Sequence, residues 1–125
     1  MLRAGLALAC AVLIFSVALT ETASGRTAAL PTLKGTVGPG FTITLKKSGV
    51  RVKVLTPGTY LFVISDNSPI HNFTLEQKSG GSVHKTLAAT SFTGVTTVKV
   101  TLKKGKWEYL CTVHPTLMFG FFAVK

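Results

Sequence analysis

The chain has 125 residues, 46% of them hydrophobic, with 14 Lys and Arg against four acidic residues and a net charge of +10. That length suits a single domain, and the apolar content excludes a disordered, solvated chain. The positive charge points to acidic partners or anionic envelope polymers, while no nucleic-acid recognition motif accompanies it.

Arg3 gives the N-terminus a positive start, and Ala4 to Leu19 is almost unbrokenly apolar. Small and polar residues follow from Thr20 to Gly25. Residues 1–25 therefore read as a secretory signal peptide, with competing cleavage sites over about residues 18–26. The apolar core is short for a membrane span, so an uncleaved anchor is the lesser reading. Cys10 sits in a poor lipid-attachment context. The expected location is the periplasm or the extracellular face of the cell envelope. Residues 26–35 read as a flexible arm, and residues 36–125 as the folded domain.

From there the pattern is strands and turns. Leu33 to Val37 ends in the turn Gly38-Pro39-Gly40. Phe41, Ile43 and Leu45 alternate with threonines, and Val50, Val52 and Val54 with Arg51 and Lys53, as half-buried strands do. Tyr60 to Ile64 is a continuous apolar run suited to a central strand. Asp66-Asn67-Ser68-Pro69 breaks it, and Ile70 to Gln77 resumes as a strand. Val83 to Leu87 is a weaker strand, and the loop after it has Phe92 as its anchor. Val95 to Leu102, Trp107 to Cys111 and Phe119 to Val124 complete the set. Nothing after residue 25 reads as a long amphipathic helix. The expected fold is all-β, a Greek-key β-sandwich of seven to eight strands.

Removal of the leader would leave Cys111 as the sole thiol and Met118 as the sole Met. An exported chain with one Cys forms no internal disulfide, so the thiol needs another role. The bland alternative is a buried Cys acting as a small hydrophobe. Cys111-Thr112-Val113-His114-Pro115-Thr116-Leu117-Met118 places a thiol, an imidazole and a thioether within one loop. Such soft donors suit copper better than magnesium or calcium. One further imidazole completes a His₂Cys site with a weak axial Met, and His71 is the candidate. His84 has no partner motif and reads as a surface residue. Nucleophilic catalysis by Cys111 with His114 would need an orienting acid, and no acidic residue here stands in a signature for one. The chain is therefore read as a non-enzyme.

These motifs resemble the cupredoxins, the small blue-copper family, and in particular small exported bacterial cupredoxin-domain proteins. The resemblance rests on Pro-Ile-His71-Asn72-Phe73, on the Pro-Gly-Thr-Tyr turn before it, and on Cys111-x-x-His114-x-x-x-Met118 followed by Gly120. It spans about Thr36 to Lys125. It implies one copper ion held by His71, Cys111, His114 and Met118, with Asn72 and Thr112 hydrogen-bonding across the two ligand loops. It implies a docking patch of Pro115, Leu117 and Phe119 around His114, with Pro69 and Ile70 nearby. The function implied is single-electron transfer by a monomer to a redox partner protein, acidic in character given the lysines. Copper storage, delivery or sensing is the alternative, and peripheral contact with an anionic envelope is a further expectation. The three-residue gap before Met118, and Phe119 and Phe121 after it, depart from the commoner family pattern.

Overall fold

The computed structural model describes residues 24–125. The signal-peptide reading and Cys10 thus fall almost wholly outside the described residues. Ten strands follow one another: β1 (Thr32–Val37), β2 (Ile43–Lys47), β3 (Val50–Arg51), β4 (Val54–Leu55), β5 (Gly58–Asp66), β6 (Phe73–Gln77), β7 (His84–Ala88), β8 (Gly94–Leu102), β9 (Gly105–Leu110) and β10 (Phe119–Val124). They form two five-stranded sheets in the orders β3-β2-β1-β5-β8 and β4-β10-β9-β6-β7. No helix among the described residues is long and apolar enough to cross a membrane.

The all-β sandwich is as expected, but it has ten strands rather than seven to eight. Part of the difference arises at Val50–Leu55. Alternation there suggested one strand, yet Val50 and Val54 are exposed, and of the three valines only Val52 enters the core. The segment splits because its halves pair in different sheets: β3 with β2, and β4 parallel to β10. Periodicity reports which residues face inward, but not which sheet supplies the backbone partner. A second correction concerns the expected arm. β1 begins at Thr32, inside that segment, and Leu33 is wholly buried. Strand pairing therefore begins at Thr32, since β1 pairs parallel with β5 from Thr32↔Leu61 to Val37↔Asp66.

The core lies between the sheets. Leu33, Leu45, Phe62 and Ile64 come from the first, and Leu75, Trp107, Tyr109 and Phe122 from the second. Parity in β9 and β10 holds as expected: Trp107, Tyr109 and Cys111 all point inward, as do Phe122 and Val124. Phe92 is partly buried against this core. The ends of β1, β5, β7 and β9 and the starts of β2, β6, β8 and β10 converge at one rim of the sandwich. The loops carrying His71 and His114 occupy that rim.

Candidate metal centre

Cys111 directly follows β9, so its inward direction is set by the strand. The loop it begins is closed by its own backbone. Cys111 N–H donates to the Met118 carbonyl at 2.9 Å, extending the β9–β10 ladder by one pair. Inside the loop, His114 N–H donates to the Cys111 carbonyl at 3.1 Å, and Met118 N–H to the His114 carbonyl at 3.0 Å. These bonds coil Cys111–Met118 into successive turns. Met118 is wholly buried and His114 half-buried.

His71 lies in the loop before β6, not on the strand that Ile70 was expected to open. That loop is pinned at several points. Asn67 N–H donates to the Val37 carbonyl at 2.9 Å, Ser68 N–H to Asp66 Oδ1 at 3.0 Å, and Ile70 N–H to Ser68 Oγ at 3.4 Å. Burial pushes the Asp66 carboxyl above its ordinary range, while the Ser68 N–H and the charge of His71 pull against that shift.

The two loops meet at three donor atoms. His71 Nδ1 and His114 Nδ1 stand 3.1 Å apart, and Cys111 Sγ is 3.9 Å from the first and 4.0 Å from the second. His71 and Cys111 are buried, and among the described residues these three form the one group of His, Cys or acidic side chains gathered closely enough to grip an ion. A soft ion held about 2.0–2.3 Å from imidazole nitrogen and thiolate sulfur requires donors roughly 3–4 Å apart. The observed separations meet that requirement, and the donor set of two imidazoles and a thiolate has the right chemistry. Met118 is wholly buried at the closing end of the same loop.

Asn72 holds the halves together. Its amide donates to Thr112 Oγ1 at 2.7 Å and to Thr90 Oγ1 at 3.2 Å, while its Oδ1 accepts from Thr112 N–H at 3.0 Å and from the Thr74 hydroxyl at 3.1 Å. Its backbone N–H points at Cys111 Sγ, 3.4 Å away. A peptide N–H on a thiolate draws charge from the sulfur and orients it. The pairing of Asn72 with Thr112 suggested by the sequence is thus present.

Around His114 the surface is apolar. Pro115, Leu117 and Phe119 are exposed, as are Ile70 and Phe121. One residue of this rim was misread from the sequence. Phe41 was expected in the core with Ile43 and Leu45, but it is exposed and precedes β2. Its ring packs on both imidazoles, with centroids 5.0 Å from His114 and 5.7 Å from His71. The available signal was the glycine pair before it. Gly38 and Gly40 both take positive φ, so the chain is still turning when it reaches Phe41. His84 stays away from this centre, on β7, where Nδ1 contacts Glu76 Oε1 at 3.0 Å.

No family model matches the sequence, and no curated protein matches it. Solved structures do match. A rusticyanin from Thiobacillus ferrooxidans is 24% identical, with 75% of this chain and 76% of that one covered and a TM-score of 0.50. A second rusticyanin structure reaches a TM-score of 0.53 at 19% identity over the same shares. Auracyanin A, a blue copper protein of Chloroflexus aurantiacus, matches at 17% identity and a TM-score of 0.50, covering 78% of this chain and all of that one. At such identities the likeness is one of fold. The chain has the cupredoxin fold, with a His–Cys–His cluster at the rim of its sandwich.

Proposed function

We propose that this chain is a type 1 copper protein that carries single electrons between partners. One observation carries the reading: His71, Cys111 and His114, from two separate loops, place three soft donors 3.1–4.0 Å apart in a buried, braced site. Cupredoxin-fold neighbours that include a blue copper protein support it. His71 and His114 would hold one copper through Nδ1, Cys111 through Sγ, and Met118 as the weak axial donor. Bound copper would accept and release one electron as Cu(II) and Cu(I). The protein's part is to keep the donors still, because electron transfer is fast when ligands move little between the two states. The Asn72–Thr112 link, the N–H bond to Cys111 Sγ and the coiled Cys111–Met118 loop all serve that end.

The half-buried His114 ring sits among Pro115, Leu117 and Phe119, which form the proposed contact patch for a redox partner. Residues 1–25 are proposed as the export signal, with the mature monomer in the periplasm or at the outer envelope. Storage or delivery of copper fits less well, because a closed, buried thiolate favours exchange of electrons over exchange of metal.

The test is reconstitution with Cu(II). An intense red-absorbing band and narrow copper hyperfine splitting are expected, with reversible voltammetry. Cys111→Ser should lose the colour and His71→Ala should loosen the metal. A blue Cys111→Ser variant, or colourless weak binding by the wild type, would refute the proposal.

A further inference from the structure

Charge is divided unequally between the two sheets. The strands of β4-β10-β9-β6-β7 carry Lys85 and Lys106 against Glu76 and Glu108, so they balance. The strands of β3-β2-β1-β5-β8 carry Lys34, Lys46, Lys47, Arg51 and Lys99, and their only acid is the buried Asp66. Register sharpens the difference. Lys34 stands directly across from Lys46, and Lys46 from Arg51. Like charges directly opposite across strands repel, and every ion pair among the described residues lies on the other sheet, at Lys78 or His84. A row of three neighbouring cations without a carboxylate costs stability; Arg51 Nε donates to the Tyr109 hydroxyl at 3.3 Å, but among the described residues no side-chain bond of that kind accounts for Lys34 or Lys46.

That row leads to the metal rim. A surface groove is lined by Phe41, Leu117 and Phe119 at the rim end and by Lys46 of β2 and Arg51 of β3 farther along the sheet. Phe41 packs on His114. We infer that this groove is the docking site for an acidic protein surface, whose carboxylates pair with Lys46 and Arg51, and with Lys34 beside Lys46 just outside the groove, while its apolar part covers Phe41, Leu117 and Phe119. The inference rests on the electron-carrier reading for its purpose, and charge complementarity identifies the occupant. The cations steer and orient the partner; the apolar end sets the contact beside His114.

The test uses a fluorescein-labelled octaglutamate peptide as probe, with the purified protein in metal-free and copper-loaded forms. Reversal of Lys34, Lys46 and Arg51 to Glu should weaken binding about tenfold or more at low salt, with the difference shrinking as salt screens it. Reversal of Lys85, Lys103 and Lys106 to Glu changes net charge equally and should weaken binding only about twofold, a general-field effect. Equal loss in the two triple variants, or no loss in the first, overturns the inference. Binding confined to phosphatidylglycerol-containing vesicles, with none to the peptide, also overturns it in favour of a lipid surface. The metal-free protein should bind as well as the loaded one, so a failed copper reconstitution would leave this result standing, and the reverse.

Discussion

Asn72 and Thr112 hold each other by two hydrogen bonds, side-chain amide to hydroxyl at 2.7 Å and peptide N–H to Asn72 Oδ1 at 3.0 Å. They belong to different loops, and each loop brings metal donors to the centre. The first prediction removes this link. Asn72→Ala strands the Thr112 N–H in a partly buried place and costs about 1–3 kcal/mol by the usual penalty for a lost buried partner. The fold should survive, as seen by far-UV circular dichroism, while copper leaves faster to a chelator. Copper release at the wild-type rate would show that the brace is dispensable.

Phe41 presents a different case. It is 57% exposed, so Phe41→Ala should cost less than about 1 kcal/mol in denaturation, well under the cost of truncating a core Phe. Its ring covers both imidazoles, however. Loss of the ring admits water to that side of the centre, and faster copper extraction by a small chelator is expected. A large loss of stability with unchanged extraction would show that Phe41 belongs to the core after all.

Gly120 faces the buried ring of Tyr109, and an added Cβ would collide with that ring. Tyr109 has no room to withdraw: it is wholly buried, stacks on Phe73 at 5.9 Å, and its hydroxyl accepts from Arg51 Nε at 3.3 Å. Gly120→Ala should therefore destabilise by about 3 kcal/mol, at the upper end for overpacking. Urea denaturation measures this, and a change near zero would mean that β9 and β10 slide to make room.

Glu76 and Glu108 are register partners on β6 and β9, and Lys78 bridges them at 3.1 and 3.2 Å. The hydrogen bond from Lys78, opposed in part by burial, holds the Glu76 carboxyl below its ordinary value of 4.5. A carboxylate with a lowered folded pKa stabilises above its unfolded pKa, and that contribution is lost as pH falls through the folded value. Lys78→Met should thus lower stability at neutral pH and flatten the decline between neutral pH and pH below about 4.5, the unfolded end of the window. Denaturation at the two pH values compares the slopes; parallel curves would sink the assignment.

The gathering of His71, Cys111 and His114 was legible in the sequence because such residues are chemically unusual together. A single thiol, an imidazole three residues on and a thioether after it have few other joint uses, and Asn72 beside His71 marked the second loop. Strand faces in β9 and β10 were legible for the same reason that parity is simple: alternate side chains share a face. What was not legible depended on pairing. Val50–Leu55 reads as one strand until each half finds a different sheet. Leu33 reads as part of an arm until β5 supplies a parallel partner. Phe41 continues an alternation by position, but the turn before it takes it out of the strand. The cation row was hidden as well, since Lys34, Lys46 and Arg51 become neighbours only through register.

The direction of β1 also decides how the molecule would be presented when held from its N-terminal side. Val37 ends this strand at the rim that carries His71 and His114, while Thr32 begins it five residues back. At about 3.3 Å per residue the strand is roughly 20 Å long, so Thr32, beside Leu61 of β5, lies well away from that rim. An attachment made through the residues before Thr32, to a membrane or to another protein, would leave the sandwich on the side away from the rim. The face that carries His71 and His114 would then point away from the anchor and stay open to approach from the other side.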